Sequence, residues 1–203
     1  INQHTKDPNV DNEPLLEGEI WETALRELLL LKRVITNAEL NEQLNRTASQ
    51  TFAIGASVIA HAWADENFKK SLLSNPKAII ADLGYDVSSM PDLVIVNNTP
   101  DIHNVIVCTL CSCYPRYMLG PPPDWYRSAA YRARIVRDPR EVLIEFGLEI
   151  SAETKIRVYD STADLRYMVL PLCPVSVENM AVADLQVLVT RDSMIGVGAP
   201  KSP

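Results

Sequence analysis

The sequence predicts an α+β chain, with a helical N-terminal arm followed by a mixed α/β domain that carries a cysteine-rich loop after a strand. Three observations predict it. Apolar residues recur at helical spacing between residues 15 and 84. After Gly84 the texture changes to short β-branched runs. The second of these runs ends in three cysteines, Cys108, Cys111 and Cys113, within six residues. A chain of 203 residues, 47% hydrophobic and 22% charged, is globular in profile and long enough to bury a core without covalent staples.

Residues 1–14 are polar, rich in Asn and broken by Pro8 and Pro14, and read as a mobile tail or a partner-grasping arm. From Leu15, the residues Leu16, Ile20, Trp21, Ala24, Leu25, Leu28 and Leu29 mark an amphipathic helix ending near Lys32-Arg33. Thr36-Asn37-Ala38-Glu39 is a capping box, so a second helix starts there. A third helix is expected from Ala56 to Leu73, with Val58, Ile59, Ala62, Trp63 and Phe68 on its buried side. A short helix begins at Asn75-Pro76 and stops at Gly84. Strands follow at Leu93–Val96 and Val105–Val107, joined by the turn-rich Asn97-Asn98-Thr99-Pro100. Gly120-Pro121-Pro122-Pro123 is a rigid loop. Short helices are expected over Trp125–Val136 and Pro139–Phe146, the latter capped by Asp138 and closed by Gly147. Lys155–Tyr159 and Arg166–Leu170 are further strands, and Val182–Val189 is helical.

Charge and composition exclude several functions. Nineteen Lys and Arg against 26 Asp and Glu give a net charge of −7, which opposes a nucleic-acid or anionic-membrane surface. The basic stretch Arg127, Arg132, Arg134, Arg137 and Arg140, interleaved with Trp125, Tyr126 and Tyr131, is therefore read as structural or interface pairing. The longest aliphatic run is Leu28–Leu31, too short to span a membrane, and the first residues lack an apolar signal core, so a cytoplasmic location is expected. The chain does not open with Met, which leaves room for processing. Three scattered histidines do not suggest a Ser-His-Asp hydrolase.

Val107-Cys108-Thr109-Leu110-Cys111-Ser112-Cys113-Tyr114-Pro115 is the segment that carries chemistry. Three thiols this close cannot build a scaffold of long-range disulfides. Zinc would need a fourth ligand, with only His103 or Cys173 to supply it, and an iron–sulfur cluster has the same shortage. A thioredoxin-like pair belongs at a helix N-terminus, whereas this loop follows a strand. Three inert buried cysteines are the plainest alternative, although inertness gives no reason to cluster. The spacing itself allows another reading, in which the peptide nitrogens of Ser112 and Cys113 lie between the sulfurs of Cys111 and Cys113. One loop then offers three sulfurs and two nitrogens, a donor set suited to trivalent iron or cobalt, and a sixth position stays open for Lewis-acid chemistry.

The segment closely resembles the metal-binding signature of nitrile hydratase α subunits and of the related thiocyanate hydrolase γ subunit. The resemblance covers about residues 50–198. It includes Gly55-Ala56, Ala62-Trp63, Phe68-Lys69, Asn97-Asn98-Thr99-Pro100, His103-Asn104-Val105, Leu119-Gly120 and Trp125-Tyr126. It continues through Tyr131–Arg137, Glu145-Phe146-Gly147-Leu148 and Val189–Val197. It implies a metal held by Cys108, Cys111 and Cys113 through sulfur and by Ser112 and Cys113 through backbone nitrogen, with Cys111 oxidised to a sulfinate and Cys113 to a sulfenate. Thr109 and Tyr114 match cobalt-type members, so Co(III) is expected, with iron the second choice. The implied activity is that of a lyase hydrating a nitrile to its amide. The implied heteromer has a β-type subunit, in one chain or split in two as in the three-subunit toyocamycin nitrile hydratase, and a metallochaperone or activator. Thiocyanate hydrolysis to carbonyl sulfide and ammonia is the first alternative, and a non-catalytic metal-binding or assembly-intermediate subunit is the second.

Common members continue Tyr-Pro-Trp-Pro-Val-Leu-Gly, whereas this chain has Arg116-Tyr117-Met118 before Leu119-Gly120, as thiocyanate hydrolase does at Arg116. Arg116 is thus a candidate catalytic residue beside Ser112 and Cys113, either stabilising oxidised sulfur or steering substrate, and a solvent- or partner-facing arginine is the even alternative. The Ala-Gly-Thr stretch common before the last helix is absent from Pro174-Val175-Ser176-Val177. His103 is a candidate support beside the loop, His61 a hydrogen-bonded structural residue and Cys173 a small buried hydrophobe. The expected organisation is an N-terminal tail and partner-contacting arm over 1–50, a metal-binding catalytic domain over 51–198 and a C-terminal tail over 199–203.

Overall fold

The computed structural model describes residues 13–49, 51–177 and 180–203, in two compact units divided after Ser49. Most of the polar tail expected over 1–14 lies outside the described residues.

The first unit holds α1 (Glu13–Leu31) and α2 (Asn37–Ser49). The capping box is present at α2: the Thr36 N–H donates to Glu39 Oε2 at 2.8 Å, and the Glu39 N–H donates back to Thr36 Oγ1 at 3.2 Å. On α1, Ile20, Trp21, Leu25, Leu28 and Leu31 remain exposed.

The second unit opens with α3 (Ala53–Ala64), α4 (Glu66–Ser74) and α5 (Pro76–Asp82). The single helix expected from Ala56 to Leu73 is therefore two. Asp65 is extended, at φ −136°, and its carboxylate accepts the N–H groups of Asn67 and Phe68 at 2.7 and 3.2 Å, so it ends one helix and caps the next. Apolar periodicity runs through the break because both helices face the same core. Helix α3 is buried on nearly every side, through Ala56, Val58, Ile59, Ala60 and Ala62.

Four strands follow: β1 (Asp92–Asn97), β2 (Ile102–Val107), β3 (Lys155–Asp160) and β4 (Leu165–Leu170). Strands β1 and β2, adjacent in sequence, do not pair with each other. Instead β1 runs parallel to β4 and β2 parallel to β3, giving two two-stranded sheets. The crossover between β2 and β3 carries α6 (Arg116–Leu119), α7 (Asp124–Arg127), α8 (Ala129–Arg137) and α9 (Pro139–Glu145). Parallel pairing demands such a crossover. The chain ends with α10 (Val182–Leu188) and α11 (Arg191–Ile195).

Val105, Ile106 and Val107 of β2, Met168, Val169 and Leu170 of β4, and Val58 and Ile59 of α3 are fully buried in one core. Gly55 lets α6 pack closely on α3, since a Cβ there would lie 2.8 Å from the Met118 carbonyl oxygen and 2.9 Å from Met194 Sδ. Gly196 is left-handed, at φ +93°, and backs onto β2 so closely that a Cβ would meet the Asn104 carbonyl oxygen at 2.1 Å. Among the described residues, no helix is long and apolar enough to cross a membrane.

Candidate metal centre

The cysteine loop leaves the C-terminal end of β2, where parallel strands of α/β folds commonly present their sites. Its start is pinned by β3. In the sheet register Val107 stands opposite Asp160, and the Ser161 N–H donates to the Val107 carbonyl at 2.7 Å. Asp160 then takes both donors of Thr109, the N–H at 2.9 Å and the hydroxyl at 2.5 Å. The crossover helices hold the rest by its carbonyls. Tyr131 Oη donates to the Ile106 carbonyl at 2.9 Å, Arg132 Nη1 to that of Cys111 at 3.2 Å and Tyr126 Oη to that of Cys113 at 3.0 Å. Tyr126 is fully buried and meets Tyr114 edge-on at 4.9 Å, while Trp125 packs edge-on against Tyr131 and Phe146. With the Cys111 and Cys113 carbonyls engaged, the loop brings its three sulfurs together.

Cys108 is buried, Cys113 half-buried and Cys111 exposed. All three are free thiols whose Sγ atoms lie within 4.8 Å of one another, with Cys108–Cys111 at 3.3 Å and Cys111–Cys113 at 3.1 Å. These separations exceed the length of a disulfide bond and suit sulfurs sharing one ion. The Cys111 thiol is drawn down to about 7 by hydrogen bonds from Cys113 and Cys108, aided by the backbone N–H groups of Cys113 and Ser112. Cys113 is pushed up to about 12 by burial and by its hydrogen bond to Cys111, against which the positive charge of Arg166 acts. The backbone N–H groups of Ser112 and Cys113 thus lie near the Cys111 sulfur.

That donor set fits a metal. Among the described residues, no fourth Cys, His, Asp or Glu joins the three thiols, so neither His103 nor Cys173 completes a closed four-ligand zinc site. His103 is occupied elsewhere. Its Nε2 donates to the Gly196 carbonyl at 2.7 Å, and its Nδ1 accepts from Asn98 Nδ2 at 3.2 Å, a pairing that assigns the neutral tautomer with the proton on Nε2. Burial lowers its pKa, opposed by the bond to Gly196. Asn98 Oδ1 in turn accepts from the backbone N–H and side chain of Asn104, so this network ties the β1–β2 turn to the chain after α11.

Arg116 opens α6 with an exposed side chain that makes no hydrogen bond or ion pair among the described residues. Ser112 is half-buried in the loop. His61 bonds through Nδ1 to the Ser57 carbonyl at 2.8 Å, as a structural histidine should. Cys173 corrects an expectation: it is exposed, because it lies in the irregular chain beyond β4 and not on a packed face. Much of the basic stretch is internally paired. Arg134 forks onto Glu145, Arg127 meets Asp124 at 2.7 Å, and Arg140 donates to the carbonyls of Ile150, Ser151 and Thr154.

Asp160 and Arg166 are the site residues that sequence reasoning missed. Asp160 carried a signal, as an acidic residue closing a β-branched run. Arg166 carried none, because the start of a strand gives no hint of which loop it will pass.

The sequence pattern of the family described as "Nitrile hydratase, alpha chain" matches residues 17–198. The low-molecular-weight cobalt-containing nitrile hydratase subunit alpha of Rhodococcus rhodochrous is 48% identical over 150 residues, 74% of this chain and 72% of that one. The thiocyanate hydrolase subunit gamma of Thiobacillus thioparus is 37% identical over 200 residues, covering 93% and 82% of the two chains. Among solved structures, a double mutant of the Fe-type nitrile hydratase from Comamonas testosteroni Ni1 superposes with a TM-score of 0.84 at 39% identity, over 95% of this chain and 93% of that one. With a sulfur triad at the end of β2 and agreement in sequence and fold over nearly its whole length, the chain belongs to the nitrile hydratase α-chain family.

Proposed function

We propose that the chain is the metal-bearing subunit of a cobalt nitrile hydratase, which adds water to a nitrile and releases the amide. The observation that carries the reading is the convergence of three free thiols in one braced loop, within a chain of this family. Cys108, Cys111 and Cys113 hold the ion through sulfur, and Ser112 and Cys113 hold it through backbone nitrogen. Cobalt is favoured by the cobalt-containing relatives and by Thr109 and Tyr114. When bound, the ion supplies a Lewis acid that polarises the nitrile toward attack by water. The chain's own residues keep that site in place: Asp160 fixes the entry to the loop, and Tyr126 and Arg132 fix its far side.

The low-pKa, exposed Cys111 is the thiol most open to oxidation, which supports a sulfinate there, while the sulfenate at Cys113 follows from the family resemblance alone. A β-type subunit, in one chain or two, covers the loop, where Leu110 is 89% exposed, and contacts the arm over 1–50 through the apolar side chains of α1. The catalytic domain spans 51–198, with 199–203 as its tail. Metal is delivered by a metallochaperone in the cytoplasm. Arg116, three residues past Cys113 and without an ion-pair partner among the described residues, acts on polar substrates at the mouth of the site.

The test is turnover by the cobalt-loaded complex with its partner subunits, offered aliphatic nitriles, aromatic nitriles and thiocyanate. Amide formation is expected, and Arg116→Ala should change the ranking of substrates without removing cobalt. Carbonyl sulfide from thiocyanate with no amide from any nitrile would move the chain to the thiocyanate hydrolase function. A fully loaded complex inert toward all of them would mark a non-catalytic subunit.

A further inference from the structure

Three side chains of the crossover helices hold the metal loop by its carbonyls, and they are not alike. Tyr126 Oη donates to the Cys113 carbonyl at 3.0 Å, and Tyr131 Oη to that of Ile106 at 2.9 Å. The peptide nitrogens that follow these carbonyls belong to Tyr114 and Val107, which lie outside the donor set of the metal. Arg132 Nη1 donates to the Cys111 carbonyl at 3.2 Å. The nitrogen that follows this carbonyl belongs to Ser112, read above as a ligand. The two neutral donors thus go to peptides outside the donor set, and the cation goes to a peptide inside it.

Arg132 has no competing acid. Arg127 pairs with Asp124 and Arg134 with Glu145, whereas the half-buried Arg132 has no carboxylate partner among the described residues. Its Nε is enclosed without a hydrogen-bond partner, so its bond to the loop is the one its guanidinium makes. A peptide nitrogen that binds a metal in place of its proton, the proton passing to solvent, leaves a negative charge shared with the carbonyl oxygen of the same peptide. A hydrogen bond from a cation to such an oxygen is roughly twice as strong as one between neutral groups. We infer that Arg132 is the positioning residue for the Ser112 nitrogen ligand, its guanidinium stabilising on the Cys111 carbonyl oxygen the charge that this peptide carries on the ion. The inference rests on the reading above that the loop holds cobalt through the Ser112 nitrogen.

The test uses the cobalt-loaded complex with its partner subunits, its cysteines labelled with carbon-13 at the carbonyl. The wild type is compared with Arg132→Met, Arg132→Gln and Tyr126→Phe. Of the four cysteine carbonyls, only that of Cys111 precedes a nitrogen of the donor set. One labelled infrared band should therefore fall in frequency when the metal-free wild-type complex is loaded. In either neutral variant of Arg132 that band should stand higher than in the loaded wild type. Cobalt should also pass to excess chelator roughly 10–100-fold faster, the range seen when a group supporting a metal ligand is removed. Tyr126→Phe loosens the same loop but should leave the Cys111 band at its wild-type position, because its bond is to a different peptide.

A Cys111 band unmoved in a folded, loaded neutral variant overturns the proposal even where cobalt loss is faster, since bracing alone would speed the loss. Wild-type cobalt loss in both neutral variants overturns it too. So does an equal rise of the band in Tyr126→Phe, which would report a loosened loop and not a lost charge. The wild-type complex separates the two levels. If it takes up no cobalt, or no labelled band falls on loading, the five-donor reading fails and the inference with it. If the band falls and the neutral variants of Arg132 match the wild type, only the inference fails.

Discussion

Removing the Asp160 carboxylate tests how the fold braces the metal loop. Asp160 stands across the β2–β3 register from Val107 and accepts two bonds from Thr109, at 2.9 Å from the N–H and 2.5 Å from the hydroxyl. Hydrogen bonds to a charged group contribute about 1.5–3 kcal/mol each when buried. These are exposed, so about 1 kcal/mol each is the fitting magnitude, or about 2 kcal/mol for the pair. If this energy is spent on ordering the loop for its metal, Asp160→Ala should speed cobalt loss about 30-fold, since about 1.4 kcal/mol is tenfold. Thr109→Val deletes only the hydroxyl and should speed it about fivefold. The double variant should resemble Asp160→Ala, because the Thr109 hydroxyl has lost its acceptor in both. The assay is decay of the sulfur-to-cobalt absorption in excess chelator, with thermal unfolding as a check on global stability. Wild-type decay in Asp160→Ala would refute the clamp. Full additivity of the two changes would show that the Thr109 hydroxyl acts elsewhere.

Two glycines with the same backbone geometry make a paired prediction. Gly196→Ala forces a Cβ to within 2.1 Å of the Asn104 carbonyl oxygen at φ +93°, whereas Gly84→Ala, at φ +90°, meets open space. The first should lower unfolding stability by about 2–5 kcal/mol, from dihedral strain plus overpacking, and the second by about 1–2 kcal/mol. Equal midpoints in a denaturant titration would show that the Gly196 contact is not rigid. A third prediction concerns the metal-free chain. With the Cys111 thiol lowered to about 7, its thiolate forms as pH rises through 7, so iodoacetamide should label it first, with a half-maximal rate near that pH. Cys113, pushed up to about 12, should stay unlabelled at neutral pH. First labelling at Cys113, or a midpoint near the ordinary thiol value of about 8.5, would contradict this electrostatic reading.

Local signals in the sequence were enough to place most elements. Thr36-Asn37-Ala38-Glu39, Asn75-Pro76 and Asp138-Pro139 each start a helix with their own side chain, so those starts were legible without knowledge of the fold. The loop was legible too, because three sulfurs at that spacing have few alternatives. Three features were hidden for physical reasons. Apolar periodicity continues across Asp65 because α3 and α4 share a core, which concealed the break. Helices α6 and α11 have four and five residues, too short to show a period. The pairing of β1 with β4 and of β2 with β3 is a long-range choice, and with it came the position of Asp160 beside Thr109. Cys173 failed for the same reason. Its composition suggests burial, and only the path of the chain past β4 exposes it.

The central claim is that this one loop binds cobalt through three sulfurs and two backbone nitrogens. Cobalt K-edge X-ray absorption of the loaded complex tests it most directly. The account predicts a Co(III) edge position with three sulfur scatterers and two or three nitrogen or oxygen scatterers in the nearest shell. Substituting Cys108→Ser should remove one sulfur. A shell of four tetrahedral ligands, or one with fewer than three sulfurs in the wild type, would contradict the account.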